Sequence, residues 1–356
     1  MRNASEFRPD WASPPGATIS DLMATFSWTR SDFADRLGET TLLVEELISG
    51  RALLTDELAS KLAYVFSSSS DFWLSRENQY RASLANIEEI REWLSALPET
   101  YMQRRGIIRK GKHLSERASI LLDFFGSSSV DEWKVEHSGK NRLAAFRTSP
   151  KLESDEGATL VWLRQGEHAA DEIDCSKWNL RGFESSLKNI RNLTLEKNPG
   201  IFIPKLQKIC ADNGVIVSII RTPPGCRASG SARFLSNGNP QILLSFRHLS
   251  DDHFWFTFFH EAAHLILHSE SGLFLDGLDN ETRDRKEIEA NAYASDLLIP
   301  EEFLQELESL PLTYRPVMRF ARKIRIAPGI VVGQLQFRKI CPQNRLNKLK
   351  TRYRWE

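Results

Sequence analysis

The sequence predicts an α+β chain that is mainly helical, with one small sheet in its C-terminal part. Three observations lead there. Apolar residues recur at helical spacing through most of the first 200 positions. A β-branched run, Val215-Ile216-Val217-Ser218-Ile219-Ile220, is followed by two short strand patterns flanking Asn237-Gly238-Asn239, a hairpin signal. Residues 251–268 then form a long aromatic-rich helix carrying His260-Glu261-Ala262-Ala263-His264.

A chain of 356 residues can bury two or three cores. The expected division is a helical bundle over 1–84, a helical connector over 85–199 and a sheet-containing part over 200–356. Lys+Arg and Asp+Glu balance at 47 each, so no net field draws the whole chain to nucleic acid or membrane, although local patches stay open. The first six residues lack the apolar core of a signal peptide, and no apolar run approaches the ~20 residues that span a bilayer. Four cysteines, Cys175, Cys210, Cys226 and Cys341, lie without C-x-x-C spacing, which disfavours a zinc ribbon or a disulfide framework. A cytoplasmic protein without membrane contact is expected.

In chain order, Pro14-Pro15-Gly16 precedes a helix with Leu22, Met23 and Phe26 on its apolar face, capped by Thr18 or Ser20. Residues 29–38 form a short helix that stops at Gly38, and Thr40 caps the next one, through Ser49. This is a helix-turn-helix pattern. Residues 55–66 make an amphipathic helix, and Ser67–Ser70 turn into a short helix ending near Tyr80. Helices follow around Ile87–Leu94 and Ser119–Phe125, with basic clusters at Arg104-Arg105 and Arg109–Lys112 that read as solvated faces. Residues 147–157 form a polar loop, then helices run over 158–170 and 183–193. A helix from Phe202 closes at Gly214, and Val215–Ile220 is expected to be a central strand. Ala232–Leu235 is the expected wall of a peptide cleft.

On the helix that follows, His260 and His264 are one turn apart on one face and can hold a single ion. Zinc with few protein ligands keeps an open position and brings the pKa of water to about 7 there. Glu261 is placed to take that water's proton. The aromatic residues around it make this helix a core element, with Ser250 or Asp251 as its cap. His268, Asp284, Glu287 and Glu289 compete for the third ligand. His268 lies one turn, about 5–6 Å, beyond His264, and three successive histidines cannot converge on one ion. On the next helix Glu287, Asn291 and Ala294 share one stripe, and small Ala290 and Ala294 allow close approach. Glu287 therefore faces the histidines best.

His260-Glu261-Ala262-Ala263-His264 with Leu267-His268, then Glu287-x-x-Ala290-Asn291-x-Tyr293-Ala294 and Leu297-Leu298-Ile299-Pro300, resembles the ImmA/IrrE zinc metallopeptidases, a zincin-like group. The resemblance covers about 201–340. It implies zinc on His260, His264 and Glu287, Glu261 as catalytic base, and Asn291 orienting a ligand. Ala263 stands where the family often has Gly. His268, Tyr293 and Arg233 are candidates for an oxyanion donor. Family members commonly cleave or pair with a transcriptional repressor in phage, mobile-element or stress regulation.

Residues 18–80 resemble the XRE-type helix-turn-helix of HigA-type antitoxins through Phe33-Ala34, Leu37-Gly38, Ile48-Ser49-Gly50, Leu58-Ala59, Asp71-Phe72-Trp73-Leu74 and Gln79-Tyr80. The recognition-helix position, however, carries Glu45 and Glu46 and no Lys, Arg, Asn or Gln between Thr40 and Ser49. Base readout and phosphate contact normally need those residues. Two uses stay open: double-stranded DNA binding through Arg30, Thr40, Thr41 and Arg51, or a retained fold for homodimerisation or a protein partner. For the whole chain the expectation is a zinc endopeptidase of narrow specificity acting on a regulator in a stress, phage or toxin–antitoxin circuit. The alternative is a non-catalytic antitoxin-like regulator with a structural zinc.

Overall fold

The computed structural model describes residues 12–137, 155–268 and 280–355, and for 280–284 the backbone alone. Most of the polar loop expected at 147–157 lies outside them, as does the side chain of Asp284. The chain divides into two compact units, Met1–Val130 and Asp131–Glu356, each with its own core.

In the first unit α1 (Pro15–Thr25), α2 (Arg30–Leu37), α3 (Thr41–Ile48), α4 (Asp56–Val65) and α5 (Ser70–Ser95) pack around Phe33, Val44, Leu62 and Trp73. The starts of these helices follow from side-chain caps. Thr29 and Asp32 form a reciprocal capping box on α2, and Thr40, Thr55 and Ser69 accept from the Leu43, Leu58 and Phe72 amides. Gly38 sits at φ 68° and turns α2 into α3. Two expectations change here. α1 starts at Pro15, whose missing N–H costs nothing at a first helical position, so Thr18 and Ser20 lie inside the helix. α5 does not stop near Tyr80 but runs for 26 residues, because no Gly or Pro interrupts it and Trp73, Ile87, Trp93 and Leu94 bury at intervals along it. Shorter helices α6 (Glu99–Arg104) and α7 (Leu114–Phe125) follow, and α8 (Val130–His137) starts at the boundary and belongs to the second unit.

The second unit is built from α9 (Glu156–Asp171), α10 (Leu180–Leu193), α11 (Pro199–Ala211), strands β1 (Ile216–Ile219), β2 (Gly230–Phe234) and β3 (Pro240–Leu244), and then the helices that carry the site. The latter are α12 (Asp251–His268), α13 (Asn280–Leu298), α14 (Leu304–Glu308), α15 (Tyr314–Ile324) and α16 (Pro328–Phe337). The sheet order is β1-β3-β2, with β1 parallel and β2 antiparallel to β3. The β-branched run is therefore an edge strand and not the central one. Its side chains are buried by α9 and α11 rather than by a strand on either side. All five residues of β3 are buried, as a central strand requires.

The first turn of α12 is locked by the C-terminal segment. Lys350 reaches Asp252 at 2.6 Å and Gln336 at 2.7 Å, and the Thr351 carbonyl accepts from the Asp251 amide. Ser250 donates its hydroxyl to Asp252 instead of capping the helix. Burial pushes the Asp251 carboxyl up to about 6, with the Asp252 charge adding to the effect. Such a group stabilises the fold fully below its ordinary value of 3.8, and that contribution is lost as pH rises through about 6. Urea unfolding at a series of pH values checks this. Asp251→Asn is expected to remove a decline of roughly 3 kcal/mol across that window, and an unchanged pH slope would refute the assignment.

Candidate metal centre

α12 and α13 lie against each other along faces of small residues. Ala290 and Ala294, on the stripe of α13 that carries Glu287, are fully buried, so the two backbones approach closely. Ala263, beside His264 on α12, is fully buried as well. This approach lets Glu287 reach across to α12. Its two carboxylate oxygens lie 3.3 Å from His260 Nε2 and 3.2 Å from His264 Nε2, and the two imidazole nitrogens are 3.1 Å apart.

These three separations bear on whether a metal fits. Zinc bound by His or carboxylate at about 2.0–2.1 Å in tetrahedral geometry spaces its ligand atoms by roughly 3.3 Å. The triangle of donors already has nearly that edge, and its chemistry, two neutral nitrogens and one carboxylate, suits zinc. Two imidazoles and a carboxylate converge with their donor atoms facing one another, as a shared ion requires. Among the described residues, this is the one group of three or more His, Cys, Asp or Glu side chains close enough to share an ion.

Electrostatics follow the geometry. Burial alone would raise Glu287, yet hydrogen bonds from His260 and His264 hold it down at about 2. Burial also opposes charge on His260, and the Glu287 and Glu261 carboxylates outweigh it, so its pKa is raised. Asn291, on the same stripe as Glu287, adds to that upward pull. The Phe256 ring, one turn earlier on α12, has its centre 6.2 Å from that of His260, with the ring planes 28° apart.

Glu261 points from the same helix toward β2. It is 6% exposed, and burial raises its pKa above the carboxylate range, against the nearby histidines that lower it. The Ala232 amide donates to this carboxylate. Gly230 makes the fit sterically possible. A Cβ there would stand 2.6 Å from Glu261 Oε1 and 2.5 Å from the Thr257 methyl. Neither Gly230 nor the Ala232 amide stood out in the sequence. A glycine opening a strand just before the hairpin was the available signal.

The remaining candidates are placed as follows. His268 sits one turn beyond His264, ring to ring at 5.6 Å, near the Lys286 carbonyl at 3.4 Å. Burial and the His264 charge lower its pKa. Glu289 is turned away from the triad, bonded to Arg285 and 3.9 Å from His268. Arg233 is a correction. Side chains alternate along β2, so Arg233 projects from the face opposite Ala232 and its guanidinium is taken by Glu167, Gln241 and the Leu163 carbonyl. It cannot serve an oxyanion beside Glu261. Tyr293 is a second correction, because six residues beyond Glu287 it lies two-thirds of a turn round α13 and its hydroxyl meets Glu184 at 3.4 Å. In the first unit, Thr40 is spent as the α3 cap, Arg30 is 3.4 Å from Glu45, and Thr41 and Arg51 are exposed. None of the four cysteines forms a disulfide, and burial pushes the Cys210 thiol well up, which disfavours the thiolate a nucleophile needs.

The comparison with protein families falls on this unit. Residues 215–331 match the model of the IrrE N-terminal-like domain, Peptidase_M78. The match spans all three strands, His260, Glu261, His264 and Glu287, and so likens this region to a zinc metallopeptidase of the ImmA/IrrE type. No curated protein matches the chain. Among the described residues no helix is long and apolar enough to cross a membrane.

The ligand set is open to a direct check by metal analysis of the purified chain. About one zinc per chain is expected. Glu287→Ala should lose most of it, whereas Glu289→Ala should keep it. The reverse pattern would overturn the choice of third ligand.

Proposed function

We propose that the chain is a zinc-dependent endopeptidase of narrow specificity that cleaves a partner transcriptional regulator in a stress, phage or toxin–antitoxin circuit. The observation that carries this reading is Glu261. It is a buried carboxyl with a raised pKa, set beside a His-His-Glu triad and held by a strand amide. A structural zinc site needs no such base. Bound zinc would supply a Lewis acid for the scissile carbonyl and lower the pKa of a water molecule. His260, His264 and Glu287 would hold it. Glu261 takes a proton from the attacking water, whose oxygen bonds to the carbonyl carbon, and returns it to the amide nitrogen as the C–N bond breaks. Its burial favours the protonated state that this return requires. β2 pairs only with β3 among the described residues, so an extended peptide can add along its other edge, past Ala232. That edge is the proposed cleft wall. Of the oxyanion candidates His268 is the one whose position still suits the role.

The first unit we read as an XRE/HigA-like helix-turn-helix used to hold a protein partner or a second copy of the chain, rather than to read bases. α3 exposes Leu42 (64%), and the turn after it exposes Leu53 (61%), while Glu45 neutralises the nearest arginine, Arg30. An apolar and acidic face of this kind suits a protein better than a phosphate backbone. The alternative for the whole chain is an antitoxin-like regulator whose zinc is structural.

Incubation of the zinc-loaded protein with a candidate repressor, such as one found encoded in its genomic neighbourhood, separates the two. Cleavage is expected, and Glu261→Gln should slow it by about 10²-fold or more with zinc content unchanged. Full activity in that variant would dismiss Glu261 as the base. Absence of cleavage by the wild-type chain would favour the regulator.

A further inference from the structure

The even charge balance of the chain conceals a strong segregation. Between Ser309 and Trp355 there are eight arginines and four lysines and not one Asp or Glu. The rest of the chain is correspondingly acidic. The folded second unit gathers part of this charge on α15. At 100° per residue, Arg315, Arg319 and Arg322 fall within an arc of about 60°, spaced along roughly 10 Å of the helix. All three are exposed, and so is Arg325 at the helix end. Lys323 is paired with Glu306, but these four arginines meet no carboxylate among the described residues. The opposite face of α15, Val317, Phe320, Ala321 and Ile324, is buried in the core.

We propose that the arginine stripe of α15 is a binding surface for the phosphate backbone of duplex DNA. Three features select this occupant. Arginines at steps of three and four residues offer rigid, always-charged forks to a regular row of anions. A membrane surface would need an apolar face to insert, and the apolar face of α15 is already used in the core. Single-stranded nucleic acid is held by aromatic platforms, and the stripe has none within its arc. The surface reads no sequence, since phosphate contacts position without specifying. It also differs from the acidic α3 of the first unit, where the Arg30–Glu45 pair leaves little positive charge.

Fluorescence anisotropy of the full-length protein with a short labelled duplex of random sequence tests this across a salt series. Binding at low salt is expected, weakening steeply as salt rises. Arg315→Ala/Arg319→Ala/Arg322→Ala should weaken it by about tenfold or more and make the logarithmic salt slope shallower by about three. The same three positions changed to Lys should retain most of the binding. Arg319→Glu alone should also weaken it, and Arg30→Ala with Arg51→Ala should not. Zinc content and thermal unfolding establish that each variant is folded. Wild-type affinity in the folded triple Ala variant would overturn the proposal. So would a wild-type chain that ignores duplex DNA at low salt, or that prefers anionic vesicles or duplex RNA.

Discussion

The site depends on how closely α12 and α13 can approach. Two histidines one turn apart on a helix make only part of a metal site, and the third donor must come from a separate element. A carboxylate on a neighbouring helix reaches them only if the residues between the backbones are small. Ala290 and Ala294, fully buried on the stripe of α13 that carries Glu287, are those residues. Bulkier side chains at this seam would widen the gap, and Glu287 would no longer meet both imidazoles at 3.2–3.3 Å. The aromatic side chains on the other faces of α12 resist such a shift, because Phe254, Trp255, Phe258 and Phe259 fix it in the core.

The second constraint is the depth of Glu261. It is adjacent in sequence to His260 yet faces the sheet, so its environment is set by β2 rather than by the His-His-Glu group alone. Gly230 leaves room for the carboxylate, and the Ala232 amide satisfies it. Burial raises its pKa from the ordinary carboxylate value, against the nearby histidines that lower it. The first turn of α12 is held independently by Asp252 and Lys350, a buried pair that ties the C-terminal segment to the same helix. Breaking one partner of such a pair leaves a charge stranded in the core.

Much of this is local and therefore legible in the sequence. The spacing of His260, Glu261 and His264, the stripe shared by Glu287 and Asn291, the caps at Thr40 and the turn at Gly38 all depend on neighbours within a few residues. What escaped depends on distant ones. Val215–Ile220 has the composition of a central strand, but helices bury it at the sheet edge, and composition does not distinguish the two kinds of cover. Arg233 looked available beside the cleft. Two of its partners lie 66 and 70 residues earlier in the chain, on α9, and the strand's alternation turns it there. α5 was split at Tyr80 because polar residues interrupt its apolar pattern, although nothing in it breaks a helix. The basic C-terminal segment was hidden by an overall balance of 47 against 47.

The central claim is that His260, His264 and Glu287 form one zinc-binding group. X-ray absorption at the zinc edge of the loaded protein reads that group directly. Two imidazole nitrogens with oxygen completing the shell are expected, and Glu287→Ala should remove an oxygen contribution while leaving the imidazole signal of any residual zinc. A third imidazole would place His268 in the shell, and a shell unaltered by loss of Glu287 would contradict the account.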